Sequence, residues 1–243
     1  MNALLHEDIV WCLRRLPRSV FKLIKEAGPE LVLAGGFIRS VVAHEKPSDI
    51  DLFSTTKEKA ELHARRYAEN RGRIISTENA YTVVERGKMS VQFIHRWVYT
   101  QPEDILKSFD FTIAMAAIWF DGFNWKSQCD PRFYPDLAAK RLTYTSPKRE
   151  EEAGGSMLRV LKFYQRGYRI PLDSLGYVLA RLCKAVDFNT TRADEHQIGM
   201  VLSGLLRMVD PLIDPTHEAH MPASDDTDPE NPEQLPPAEV ETL

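Results

Sequence analysis

Residues 33–53 read LAGGFIRSVVAHEKPSDIDLF. The apolar run Leu31–Ala34 meets Gly35-Gly36, a helical rhythm follows and stops before Pro47, and the alternating DIDLF closes the stretch. This pattern predicts a short buried strand, a tight turn, a helix over FIRSVVAHE and a half-buried strand. Aspartates at i and i+2 of a strand point to one face. Asp49 and Asp51 are therefore placed to bind one or two Mg²⁺ ions, or Mn²⁺ in their place, with Ile50 turned into the core between them. Gly35 and Gly36 end a strand and open a helix, where bare amides and the positive helix end suit a closely approaching anion such as a triphosphate. Arg39 lies one helical turn further on and offers a fork for a phosphate oxygen. Taken singly, each feature has an ordinary alternative: a tight turn, a solvated arginine, an acidic pair decorating the surface.

Outward from this stretch, HEDIVWCLRRL and SVFKLIKEAG predict two short helices within residues 5–27, broken at Pro17 and ended by Gly28-Pro29. KEKAELHARRYAENR predicts a charged surface helix, and RIISTE, AYTVVER and MSVQFIHRW predict three strands joined by hairpins. DILKSF reads as a brief helix and FDFTIAMAAIWF as an apolar run bounded by Asp121-Gly122, while from Pro131 to about residue 210 the pattern is helical. The chain is thus expected to be α+β, with its strands confined to residues 1–130.

Residues 214–243 contain nine Asp/Glu, six prolines and no Lys/Arg, too polar a composition to order itself, and predict a disordered acidic tail. Taking those nine from 35 acidic residues leaves 26 against 31 basic ones, so the body carries +5 within a chain of net charge −4. A mildly basic body is compatible with a polyanionic partner. Cys12, Cys129 and Cys183 are far apart and lack metal-ligand spacing, which argues against a disulfide framework or a zinc site and for a reducing cytoplasm. No apolar run is long enough for a membrane span, and the N-terminus lacks a signal peptide's apolar block.

The string Gly-Gly, two residues, Arg, nine residues, Asp-x-Asp resembles, without a gap, the signature of the class II tRNA nucleotidyltransferase and bacterial poly(A) polymerase family. SFDFTIAMAAI resembles that family's RRDFTINAMA motif, with Ser108 and Phe109 replacing its arginines. VQFIHRW resembles its VEVATFR strand, keeping Arg96 but carrying Gln92 instead of the acid. CDPRFYPDLAAKRL resembles its connector through Asp130, Pro131, Asp136, Leu137 and Arg141, and GGSMLRVLKFYQRGYRIP resembles its neck helix. The resemblance covers roughly residues 30–170 and implies a shortened, divergent member. The implied organisation is N-terminal helices over 1–28, a polymerase beta-like nucleotidyltransferase head with a mixed sheet and flanking helices over 29–145, a small helical neck over 146–213, and the tail.

Function follows from the same resemblance. It implies two-metal transfer of a nucleoside monophosphate from an NTP, with Asp49 and Asp51 as catalytic metal ligands. Gly35, Gly36 and Arg39 would hold the triphosphate, Asp110 the ribose, and Arg159 would border the nucleotide. The residues that read the incoming base in CCA-adding enzymes align with Ala153 and Ser156, which disfavours CCA addition itself. Lys162, Arg166 and Arg169, beside Phe163, Tyr164 and Tyr168, are expected to form a phosphate-meeting, base-stacking stripe, so an RNA 3′ hydroxyl is the expected acceptor. A protein or small-molecule hydroxyl, and a catalytically inactive RNA- or partner-binding module, remain the alternatives.

Overall fold

The computed structural model describes residues 1–69, 72–147, 154–184 and 195–209. They divide into two compact units, one of residues 1–139 and one beginning at Lys140. The predicted acidic tail and Ala153 lie outside the described residues.

The first unit is built on a seven-stranded mixed sheet: β1 (Leu31–Ala34), β2 (Asp49–Ser54), β3 (Arg73–Ser76), β4 (Ala80–Val84), β5 (Ser90–Ile94), β6 (Ala116–Phe120) and β7 (Trp125–Cys129). Their spatial order is β3-β4-β5-β2-β1-β6-β7. Every neighbouring pair is antiparallel except β2 and β5, which run parallel because a helical crossover and the β3–β4 hairpin intervene between them. Helices α1 (His6–Arg15), α2 (Arg18–Ala27), α3 (Gly36–Val42) and α4 (Lys57–Ala68) flank this sheet.

Side-chain alternation sorts β2 between two faces. Ile50 and Leu52 are fully buried on one, while Phe53 faces the other, where it joins Val32, Ala34, Ala117 and Trp119 beneath a 3₁₀ segment, Pro102–Ser108. Asp49 and Asp51 share the Phe53 face.

DILKSF, expected as a brief helix, winds as part of that 3₁₀ segment. Two local features depart from expectation. The helix expected to reach Glu45 ends at Val42, because His44 adopts a left-handed φ of 56° and turns the chain toward β2. Strand β7 has no signal in the sequence: WKSQC has no apolar alternation, yet it closes a hairpin on β6. Asp121 Oδ1 accepts the amides of Phe123 and Asn124 at 2.8 and 2.7 Å, and Gly122 supplies a φ of 102°.

The connector motif packs inside this unit as far as Leu137, while its Arg141 belongs to the second. Asp136, on α5 (Phe133–Ala138), is fully buried, accepts a hydrogen bond from Thr112 Oγ1 at 2.7 Å and lies 3.4 Å from the Arg132 guanidinium. The segments DFT and PDL, 24 positions apart, are thereby tied together. Asp136→Ala strands the Thr112 hydroxyl and is expected to cost about 2 kcal/mol, read as a lower urea midpoint at unchanged slope.

The second unit carries α6 (Gly155–Gln165), α7 (Leu172–Cys183) and α8 (Glu195–Val209), with Leu158, Phe163, Tyr168, Val178 and Leu182 buried. Helix α6 ends in a glycine cap: Gly167 has φ 84°, its amide bonds Tyr164, and the Tyr168 amide bonds Phe163. All three cysteines are free thiols. No described helix is long and apolar enough to cross a membrane.

Candidate active site

Strand β1 delivers the Gly-Gly turn beside the acidic end of β2. Leu33 stands opposite Leu52 in the antiparallel ladder, so the turn after Ala34 lies next to the Asp49–Asp51 segment. Gly35 has φ 84° and ψ −128°, a conformation open essentially to glycine alone. A Cβ built on it would lie 2.8 Å from Phe109 Cε1, so this glycine is required for space as well as for dihedrals. Its amide is already spent on the Ala116 carbonyl at 3.0 Å, whereas a Cβ on Gly36 would meet nothing within 4 Å. The open approach expected of both glycines is therefore offered at Gly36.

Phe109 occupies the position of one arginine of the similar motif. Its ring packs edge-on to Phe53 at 5.6 Å and abuts Gly35, which brings the DFT segment directly behind the turn. Asp110 follows it and is buried at 3% exposure. Arg39 is also buried; its guanidinium donates to Ser40 Oγ at 2.6 Å and lies 3.9 Å from Glu45. It thus braces the loop between α3 and β2, and in this state its fork is turned to protein partners.

Asp49 and Asp51 are half-exposed on one face of β2. In the parallel ladder Asp49 stands beside Ser90 and Asp51 beside Gln92, which places Gln92 on the same face. Gln92 Nε2 donates to Asp49 Oδ2 at 3.0 Å and the Ser48 hydroxyl donates to Asp49 Oδ1. Two adjacent carboxylates with an amide are hard oxygen donors, a set that fits Mg²⁺, which commonly takes one or two carboxylates plus water and substrate phosphate.

In the second unit Arg159 is half-buried on α6, and Ser156 is buried. Lys162, Arg166 and Arg169 are exposed. The stripe differs from the expected one in two respects. The Gly167 cap ends the helix, so Arg169 lies beyond it, bridged to Arg141. Phe163 and Tyr168 turn inward, their rings 5.3 Å apart, because they close the core of this unit. Tyr164 alone of the three rings is open, at 58% exposure, with the Arg169 guanidinium 4.9 Å from its centroid.

A strand, a tight Gly-Gly turn and a carboxylate pair on the neighbouring strand of a mixed sheet define a nucleotidyltransferase-like fold, and solved structures agree. CCA-adding enzyme in complex with ATP superposes with a TM-score of 0.58 at 20% identity, covering 85% of this chain and 51% of that one. The CTP complex gives 0.56 at 18%, with the same coverage. The Thermotoga maritima CCA-adding enzyme complexed with tRNA gives 0.51 at 19%, covering 72% and 44%. The chain belongs to the Gabija anti-defense 2 family, whose model matches residues 5–140. A relative from Bacillus phage SPbetaL7, Gabija anti-defense 2, is 23% identical over 173 residues, 70% of this chain and 41% of that protein. The chain thus spans about half or less of these relatives' lengths.

Proposed function

We propose that this protein transfers a nucleoside monophosphate from an NTP to an acceptor hydroxyl, releasing pyrophosphate, and that its motifs place it beside the class II tRNA nucleotidyltransferases. The observation that carries the reading is the placement of Asp49 and Asp51 on one sheet face beside the Gly35-Gly36 turn. In this reading Asp49 and Asp51 hold Mg²⁺ or Mn²⁺. Bound there, the ion would neutralise triphosphate charge and make the acceptor hydroxyl more acidic. Gly36 admits the phosphates to the turn, and Gly35, wedged against Phe109, keeps its geometry. Arg39 holds the loop that carries Asp49, and it reaches a phosphate only by exchanging its Ser40 and Glu45 contacts. Asp110, buried next in sequence to Phe109, is the group that would meet the ribose.

The acceptor we favour is an RNA 3′ hydroxyl, supported by the exposed Lys162, Arg166 and Arg169 of the second unit with the stacking face of Tyr164. Replacing Lys162, Arg166 and Arg169 together by alanine is expected to weaken single-stranded RNA binding and to flatten its log–log salt dependence by about 2, at roughly 0.7 per phosphate contact. An unchanged slope in a fluorescence-anisotropy titration removes this surface from the reading.

A second acceptor is favoured by the family itself, whose name is anti-defense against Gabija. In that reading the nucleotide is placed on a hydroxyl of a Gabija protein and disables it. Incubation with each α-labelled NTP, Mg²⁺, and either total RNA or Gabija-containing lysate separates the two. Label in RNA supports the first acceptor and label in protein the second. Label in small products points to a small-molecule hydroxyl, and absence of label in RNA, protein and small products alike overturns nucleotidyl transfer.

A further inference from the structure

Gln92 is the one residue of the carboxylate cluster whose chemistry departs from an anionic ligand while its position does not. The parallel register sets it beside Asp51, and its amide reaches across to Asp49 Oδ2 at 3.0 Å. The opposite oxygen of Asp49 accepts from Ser48. Each oxygen of Asp49 therefore already spends one of its two lone pairs on a protein donor, which fixes the carboxylate's rotation and leaves one lone pair on each oxygen for a cation. The in-register neighbours on β5 and β4, namely Ser90, Gln92 and Thr82, carry no charge. Among the described residues no group of three or more His, Cys, Asp or Glu is placed to hold a metal ion. The protein's own ligand charge at the pair is −2, so a second divalent ion would have to draw its compensating charge from the triphosphate alone.

We propose that Gln92 sets the ion count of this site, restricting it to one divalent ion alongside the triphosphate, and that a carboxylate at position 92 admits a second. Two divalent ions a few ångströms apart repel strongly and need anionic ligands between them to coexist. A neutral amide clamped on Asp49 supplies no such charge and takes one of its lone pairs. Gln92 is in this sense a positioning residue: it orients Asp49 and limits the charge the site accepts. The inference deepens the nucleotide-transfer reading and rests on it.

The test is equilibrium dialysis of the full chain against Mn²⁺ and the α,β-methylene analogues of the four NTPs. Mn²⁺ and nucleotide are both counted per chain and the outer chamber is subtracted. The wild type is expected to retain one Mn²⁺ per bound nucleotide, and Gln92→Glu two. Gln92→Asp is the second acidic variant should glutamate disturb the sheet, with circular dichroism reporting the fold. Gln92→Met, which keeps length but not the amide, is expected to retain one ion with several-fold weaker affinity, because Asp49 loses its clamp. Two Mn²⁺ per nucleotide in the wild type, or one in both folded acidic variants, overturns the inference and leaves the nucleotide site standing. Retention of no nucleotide by the folded wild type overturns that site and the inference with it.

Discussion

Changing Asp49 and Asp51 together to alanine is expected to abolish nucleotidyl transfer, by about 10³-fold or more, while the chain stays folded. Ile50 and Leu52 bury their side chains and anchor β2, whereas the two aspartates are half-exposed and contribute little packing. On the proposed reading, their removal takes away the carboxylates that would hold an ion stabilising developing charge, a contribution of several kcal/mol; about 4 kcal/mol corresponds to three decades of rate. The measurement is initial rate of label transfer from α-labelled NTP, with thermal unfolding recorded in parallel. A variant that unfolds within a few degrees of wild type yet keeps transfer within tenfold would place the chemistry elsewhere.

Gly35→Ala is expected to be the most damaging single change at the turn. A φ of 84° with ψ −128° costs a non-glycine residue about 1–3 kcal/mol. The new Cβ also meets the Phe109 ring at 2.8 Å, and that ring is backed by Phe53. Together these predict a loss of about 3 kcal/mol, or roughly 6–12 °C in Tm, with nucleotide binding lost in step. The double variant Gly35→Ala/Phe109→Leu separates the causes, since a smaller side chain relieves the clash but not the dihedral cost. The pair should therefore recover part of the loss, and full recovery would mean that the backbone conformation at Gly35 is not the constraint described. Gly36→Ala, with open space around its Cβ position, is expected to leave Tm within about 1 °C and to lower nucleotide affinity alone.

Much of this site is legible in residues 31–54 because local rules agree there. An all-apolar four-residue strand, a Gly-Gly turn and a strictly alternating strand leave few other arrangements, and each element appears where its pattern puts it except that the helix ends early, at Val42. Legibility fails where tertiary context decides. Strand β7 carries Lys126, Ser127 and Gln128 and is held by its hairpin turn and by β6, so no periodicity announces it. Tyr168 looks like a companion of the basic residues around it, but the chain reverses at Gly167 and sends the ring into the core. Arg39 matches a phosphate-binding position in spacing, and only the fold shows it bound by Ser40 and Glu45. The hydrogen bond from Gln92 to Asp49 joins residues 43 positions apart and depends on a parallel register that composition does not encode.

The far edge of the sheet bears on how the chain is made. Asn2 exchanges backbone hydrogen bonds with Cys129 at 2.9 and 2.7 Å, and the Leu4 amide reaches Ser127 Oγ across 123 positions. The segment Asn2–Leu4 and the outermost strand of the sheet therefore complete each other. At roughly 5–20 residues per second of synthesis, the segment Asn2–Leu4 waits on the order of ten seconds for β7, with the otherwise buried Leu4 uncovered meanwhile. Nascent chains stalled short of residue 120 are expected to be held by chaperones and cut readily by protease, and release from both should come as one step once β7 has emerged.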